Sequence, residues 1–312
     1  MFKSMPFGRC ANLLGAVVVS TFATAALAED AAQPVPDMQL AAANMLEDDG
    51  ASERINQSGK LRMLSQQVVA AGCYVRAGVD TSATWPTLIN ASKEFNDILY
   101  ALEFGDPSRG IFDPEERRRT LVGLTMLNEH WGPVEEQARL ISVGAGDATT
   151  VAELAALSVP LLEFAQRMTA EITAQYSNPA VLVQADALLI DIAGRQRMLS
   201  QRISKNACLT GTGLGSETVS AELQAASELF ENSLYALANG MSAAGVRPPP
   251  TEEIADALAG VTARWEALKP ILASIEQADS ETLAIVFAQT SAMTAEMNSI
   301  VGLYSDASKT GI

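Results

Sequence analysis

The sequence predicts an all-α protein made of two tandem four-helix bundles that form an intramolecular pseudo-dimer. Three observations predict it. Ala, Leu, Glu, Gln and Met dominate, aromatic residues are only 5% of the chain, and no stretch sustains the period-two alternation of strands. Gly and Pro clusters punctuate the chain at 105–110, 144–147, 177–179, 211–216 and 245–250, leaving segments of helical length between them. Finally, the chain repeats itself. INQSGKLRMLSQQV at 55–68 recurs as IDIAGRQRMLSQRI at 190–203, with seven of fourteen positions identical at an offset of 135. At that offset Cys73 falls on Cys208, Phe95 on Phe230, Leu99 on Leu234, Tyr100 on Tyr235 and Gly105 on Gly240. Trp131 and Trp265 match after a one-residue slip, and MTAE occurs at 168–171 and 293–296. Self-similarity of this length means two copies of one structural unit.

In chain order, the N-terminus reads as a secretory signal peptide over 1–28. Lys3 and Arg9 form a basic start, an apolar stretch runs from Ala11 to Leu27, and Ala26-Leu27-Ala28 is a small-x-small cleavage signal before Glu29. Cys10 leaves with it. No later segment holds about 18 uninterrupted apolar residues, so a second membrane anchor is not expected. Residues 29–38 are a flexible acidic lead-in. The first copy then spans 39–177, with helices expected near 39–78, 84–104, 113–142 and 147–176. The second spans 178–312, with helices near 180–209, 217–241, 250–276 and 279–308. Four helices joined by short loops make an up-down-up-down bundle in each copy.

Charge narrows the partners. The chain carries 21 Lys+Arg against 37 Asp+Glu; cleavage after Ala28 removes Lys3 and Arg9 and brings the formal charge to −18. Nucleic acid and anionic membrane need clustered positive charge and are excluded as partners. The mature chain is expected in the periplasm. No catalytic constellation is visible: no nucleophile elbow, P-loop, CxxC or HExxH, and one histidine, His130, without a second His or Cys to hold a metal. No enzyme, cofactor or metal is expected. Glu47-Asp48-Asp49, Glu115-Glu116 and Arg117-Arg118-Arg119 read as solvated faces or helix ends.

The repeated motif is where function concentrates. Ile55, Gly59, Arg62, Gln66, Val69 and Cys73 are spaced 4, 3, 4, 3, 4, as are Ile190, Gly194, Arg197, Gln201, Ser204 and Cys208. That is a heptad seam, the stripe one helix turns toward another. A second stripe, Leu61, Leu64, Val68, Ala71 and Val75, suits the bundle's own core. Four antiparallel helices return the chain to its starting end, so the two seams meet in parallel, with Arg62 level with Arg197, Gly59 with Gly194 and Cys73 with Cys208. An arginine in a buried seam needs a partner. Either a carboxylate reaches in from elsewhere, making an ordinary buried salt bridge, or a planar anion sits between the two forks and cancels their repulsion. The glycines one turn earlier leave it room. Level cysteines in an oxidising compartment can close a disulfide, with Gly72 helping the close approach; the alternative is two small buried core residues.

GKLRMLSQ and AGRQRMLSQR resemble the signature of the sensor domain named for the PilJ type IV pili methyl-accepting chemotaxis transducer. They are also similar to the P-box of periplasmic nitrate/nitrite sensor domains. The resemblance covers about 14–20 residues in each copy. It implies a four-helix sensor that pairs through its first helix, with one arginine from each side binding a single nitrate or nitrite. Carried over, that places the anion on Arg62 and Arg197 beside Gly59 and Gly194. Two departures stand out. P-box sensors tend to have Lys two residues before the Gly, where this chain has Gln57 and Ile192. Those sensors also continue into a transmembrane helix and output module. The chain therefore reads as a fused dimer that reports to a partner, a membrane-bound sensor or transporter, or as an adaptor that kept the fold without the ligand.

Overall fold

The computed structural model describes residues 51–176 and 184–310. The signal peptide, the lead-in, Glu47-Asp48-Asp49 and the boundary expected at 177/178 lie outside the described residues. Eight α-helices and no strand occur among the described residues: α1 Ala51–Arg76, α2 Thr81–Phe104, α3 Arg118–Ser142, α4 Ala148–Tyr176, α5 Gln184–Gly211, α6 Glu217–Asn239, α7 Glu252–Ala273 and α8 Ser280–Thr310. The helix ends have local causes. Ser216 Oγ accepts from the Val219 amide at 3.2 Å and Thr251 Oγ1 from the Ile254 amide at 3.3 Å, each capping a helix start. Asp147 and Asp279 do the same for α4 and α8.

Helices α1–α4 make one bundle and α5–α8 the other, and α1 lies against α5. Each bundle closes on one large aromatic contact. Phe95 stacks on Trp131 with ring centroids 4.1 Å apart, and the equivalent Phe230 meets Trp265 at 4.8 Å. The link between the second and third helices also repeats. A short 3₁₀ turn is closed by a bridge, Asp106 to Ile111 in the first copy and Met241 to Val246 in the second. Gly110 and Gly245 end those turns with φ of +72°, a region that excludes most side chains.

Helix α3 begins at Arg118, five residues later than the pattern predicts, and the reason corrects another expectation. Glu115 is buried rather than solvated, its side chain 0% exposed. It accepts from the Tyr176 hydroxyl at 2.7 Å and lies 3.8 Å from Arg54 of α1. Arg54 also donates to the backbone carbonyls of Leu102 and Asp113. These contacts hold 113–117 as a loop over the end of α1. Burial and the Glu115 carboxylate push the Tyr176 phenol up to about 12, so it remains a donor. Arg117, Arg118 and Arg119 are exposed as expected, with Arg117 lying over the Tyr176 ring at 3.9 Å. His130 lies on its helix face against Phe164, ring centroids 3.9 Å apart.

By length and composition α4 is apolar enough to cross a membrane. Its buried residues, among them Val151, Leu154, Leu161, Leu162, Ala165, Met168 and Ile172, form one helical stripe turned to its own bundle.

Candidate functional site

Helix α1 is buried on more than one side through its middle because α2, α3, α4 and α5 all pack on it. Both expected stripes are used. Leu61, Leu64, Val68 and Ala71 enter the core, and Gly59, Gln66, Val69 and Cys73 are buried on the seam. In α5 the equivalent Gly194, Gln201, Ser204 and Cys208 are buried as well.

The two seams run parallel and in register. Cys73 and Cys208 form a disulfide, their Cα atoms 6.2 Å apart. One residue on, the Tyr74 hydroxyl donates to the Ser204 carbonyl at 3.2 Å. Gly72 has a different role from the one expected. A Cβ there would meet Leu154 at 2.9 Å and Ile141 at 3.3 Å, both in its own bundle, so this glycine lets α3 and α4 close on α1.

Three turns from the disulfide the arginines converge. A Cβ placed on Gly59 would lie 3.5 Å from Nη2 of Arg62 and 3.5 Å from Nη2 of Arg197. On Gly194 the corresponding distances are 3.8 and 3.5 Å. Both guanidiniums therefore occupy the space over both glycines, as the offset of 135 predicts. Both are buried, Arg62 to 8% and Arg197 to 2% exposure. Two like charges brought together out of water disfavour one another and their own ionised forms. Burial first, then the Arg62 charge, pushes Arg197 down to about 10. Burial lowers Arg62 as well, opposed by Asp191. Lys60, two residues before Arg62 on α1, is likewise lowered by burial, with Arg197 adding to the effect.

The side chains around the arginines differ between copies. Arg62 Nη1 lies 3.5 Å from Asp191 Oδ1 of α5. Arg197 Nη1 donates to Asn56 Oδ1 of α1 at 3.2 Å and to Asn298 Oδ1 of α8 at 2.8 Å. Arg62 Nε has no hydrogen-bond partner among the described residues. One turn further on, Gln201 Nε2 donates to Thr294 Oγ1 at 2.8 Å, while Gln66 Oε1 is buried without a partner among the described residues. A carboxylate thus reaches one arginine, and none reaches the other within salt-bridge distance among the described residues.

Sequence reasoning missed Asp191 and Asn56. Both stand one residue after the first seam isoleucine, at equivalent places in the repeat. In a parallel pair each faces the other copy's arginine, and that symmetry is the signal that could have found them.

The family of type IV pili methyl-accepting chemotaxis transducer N-terminal domains, PilJ, matches residues 44–157 and again 183–289. No curated protein matches the chain. Both family matches begin within a few residues of the motif helix, cover the first three helices of each bundle and end inside the fourth. The chain belongs to this family of sensory domains and carries its domain twice in tandem.

Proposed function

We propose that this protein is a periplasmic sensory protein that binds one small planar anion between Arg62 and Arg197, with Gly59 and Gly194 providing the space. It reports occupancy to a partner, a membrane-bound sensor or transporter. Nitrate and nitrite are favoured by the likeness of the two motifs to the P-box. The observation that carries the reading is the convergence of two buried guanidiniums over two glycines, both Arg Nη2 atoms 3.5 Å from one point. Forked donors aimed at a common space suit a trigonal oxyanion. The parallel register, held by the disulfide, keeps the forks level. The disulfide also fits an oxidising compartment, as the signal peptide implies.

Calorimetry of the mature chain against nitrate and nitrite tests this. Arg62→Ala and Arg197→Ala should each remove about 2–5 kcal/mol of binding, the typical loss when a buried charged hydrogen-bond partner is truncated. The double variant should lose little more than either single one, because a shared site is already broken. Additive losses would mean two separate sites.

One observation favours a second reading, an adaptor without a ligand. Asp191 already neutralises part of the charge on Arg62, so the fold does not require an anion there. Failure of the unmodified protein to bind any small anion would decide for the adaptor.

A further inference from the structure

The twin arginines are not twins in their surroundings. At the offset of 135, Asp191 is the counterpart of Asn56. Each faces the arginine of the other copy, so one half of the site has a carboxylate where the other has an amide. The third residue at Arg197, Asn298, is also an amide. Asp191 is not committed to Arg62. Its Oδ2 lies 2.8 Å from Arg195 Nη2, closer than the 3.5 Å between its Oδ1 and Arg62 Nη1. Its side chain is 39% exposed, whereas that of Arg62 is 9% exposed. The carboxylate therefore stands at the rim, anchored from outside by Arg195 and turned in part toward the site. Lys60 and Glu53 add one charge of each sign near Arg197. Beside the two buried guanidiniums, Asp191 is the one carboxylate in salt-bridge reach among the described residues, and Arg195 shares its charge.

Resting on the arginine pair being an anion site, we propose that Asp191 sets the charge of the anion, selecting singly charged oxyanions and rejecting dianions, with Arg195 as the positioning residue that holds it aside. A dianion meets twice the repulsion from the Asp191 carboxylate that a monoanion meets, and a partly buried site screens that repulsion less than water does. The same carboxylate competes with any anion for Arg62, and the Arg195 contact weakens that competition.

Calorimetry of the full mature chain at fixed ionic strength tests this with perchlorate and sulfate, which share a tetrahedral shape and differ in charge, and with nitrate as the planar probe. The unmodified protein should prefer perchlorate to sulfate. Asp191→Asn should raise nitrate affinity about ten-fold, a change of about 1.4 kcal/mol in binding. It should raise sulfate affinity further, narrowing the perchlorate-to-sulfate ratio. Arg195→Ala, at a side chain that is 60% exposed and so safe for folding, should free Asp191 to close on Arg62 and lower nitrate affinity about ten-fold. Asn56→Asp should place a second carboxylate opposite Arg197 and abolish binding. Should Asp191→Asn fail to fold, Arg195→Ala decides alone. An unmodified protein that binds monoanions, with a perchlorate-to-sulfate ratio unmoved by these changes, overturns the role of Asp191 and leaves the site standing. An unmodified protein that binds none of the three overturns the site itself, and this inference with it.

Discussion

The two bundles share one helix design, and they differ in which side of it they keep. On the seam, five of six positions are identical between α1 and α5: Ile, Gly, Arg, Gln and Cys, with only Val69 and Ser204 differing. On the stripe facing each bundle's own core, one of five is identical. Leu61, Leu64, Val68, Ala71 and Val75 correspond to Gln196, Leu199, Ile203, Asn206 and Thr210. Only Val68 to Ile203 exchanges one apolar residue for another; Leu61, Ala71 and Val75 meet polar counterparts, so this stripe has changed in character. The seam has stayed the same although it includes a buried arginine that is costly to place. Of the two faces of this helix, the one the copies present to each other is the more alike.

The drift has physical consequences. The second bundle's core stripe is polar and imperfectly paired. Gln196 Nε2 donates to the Phe230 carbonyl at 3.0 Å, but Gln196 Oε1, both amide atoms of Asn206 and Thr210 Oγ1 are buried without partners among the described residues. The first bundle places its buried polar groups elsewhere, around Arg54 and Glu115 at the α2–α3 link. There the second copy has Leu189 in place of Arg54 and Pro250 in place of Glu115.

The largest expected effect comes from cutting what joins the copies. The Cys73–Cys208 bridge spans 135 residues. Closing a loop of that size removes denatured-state entropy equivalent to about 4–5 kcal/mol in the chain-entropy account. Cys73→Ser/Cys208→Ser should therefore lower the urea midpoint, with a stability loss of up to about 4–5 kcal/mol, and expose any difference between the bundles as a split transition. A midpoint unchanged by the double substitution would mean that the α1–α5 contact alone carries the cross-copy stability.

Next comes the buried pair of the first bundle. Arg54→Leu gives the first copy the residue of the second, but leaves Glu115 buried without its nearest cation. The expected loss is about 3 kcal/mol, within the range for breaking a buried ion pair from one side. Adding Glu115→Leu should recover most of it, because an apolar pair of similar volume is often neutral or better. Equilibrium unfolding of the two variants reads the difference. If the double variant is no better than the single, the carbonyls of Leu102 and Asp113 that Arg54 serves matter more than the charge it meets.

These cases show what one sequence reveals and what it conceals. Helix positions were legible because Gly and Pro mark them locally, and the arginines, glycines and cysteines were legible because repetition at one offset brings equivalent residues level. Asp191 was hidden because its contact depends on how two helices are rotated about their own axes, which a seam spacing alone leaves open. Glu115 was hidden because a charged pair at a helix start reads as solvent-facing, and its partners Arg54 and Tyr176, which turn it inward, are far from it in sequence. Gly72 was assigned to the wrong neighbour for the same reason: a glycine announces close approach without saying to what.

The smallest effect expected is also the cleanest transplant between the bundles. In the first, Trp131 Nε1 donates to Asn96 Oδ1 at 2.7 Å, and the Asn96 amide donates in turn to Glu135. In the second, the equivalent trio is Trp265, Glu231 and Lys269. Here Lys269 Nζ lies 2.6 Å from Glu231 Oε1, and the buried Trp265 Nε1 has no acceptor among the described residues. The exchange has given the second bundle a half-exposed ion pair, worth little in water, and left a buried indole N–H unpaired, which costs about 1–3 kcal/mol. Glu231→Asn/Lys269→Glu restores the first bundle's trio and should stabilise the protein by about 1 kcal/mol in urea unfolding. The reverse change, Asn96→Glu/Glu135→Lys, should destabilise it by a similar amount. If the second bundle instead loses stability on receiving the trio, then the tilt of Trp265 against Phe230, 50° where Trp131 lies within 16° of Phe95, already turns its N–H out of reach of position 231. The two cores would then differ in geometry as well as in chemistry.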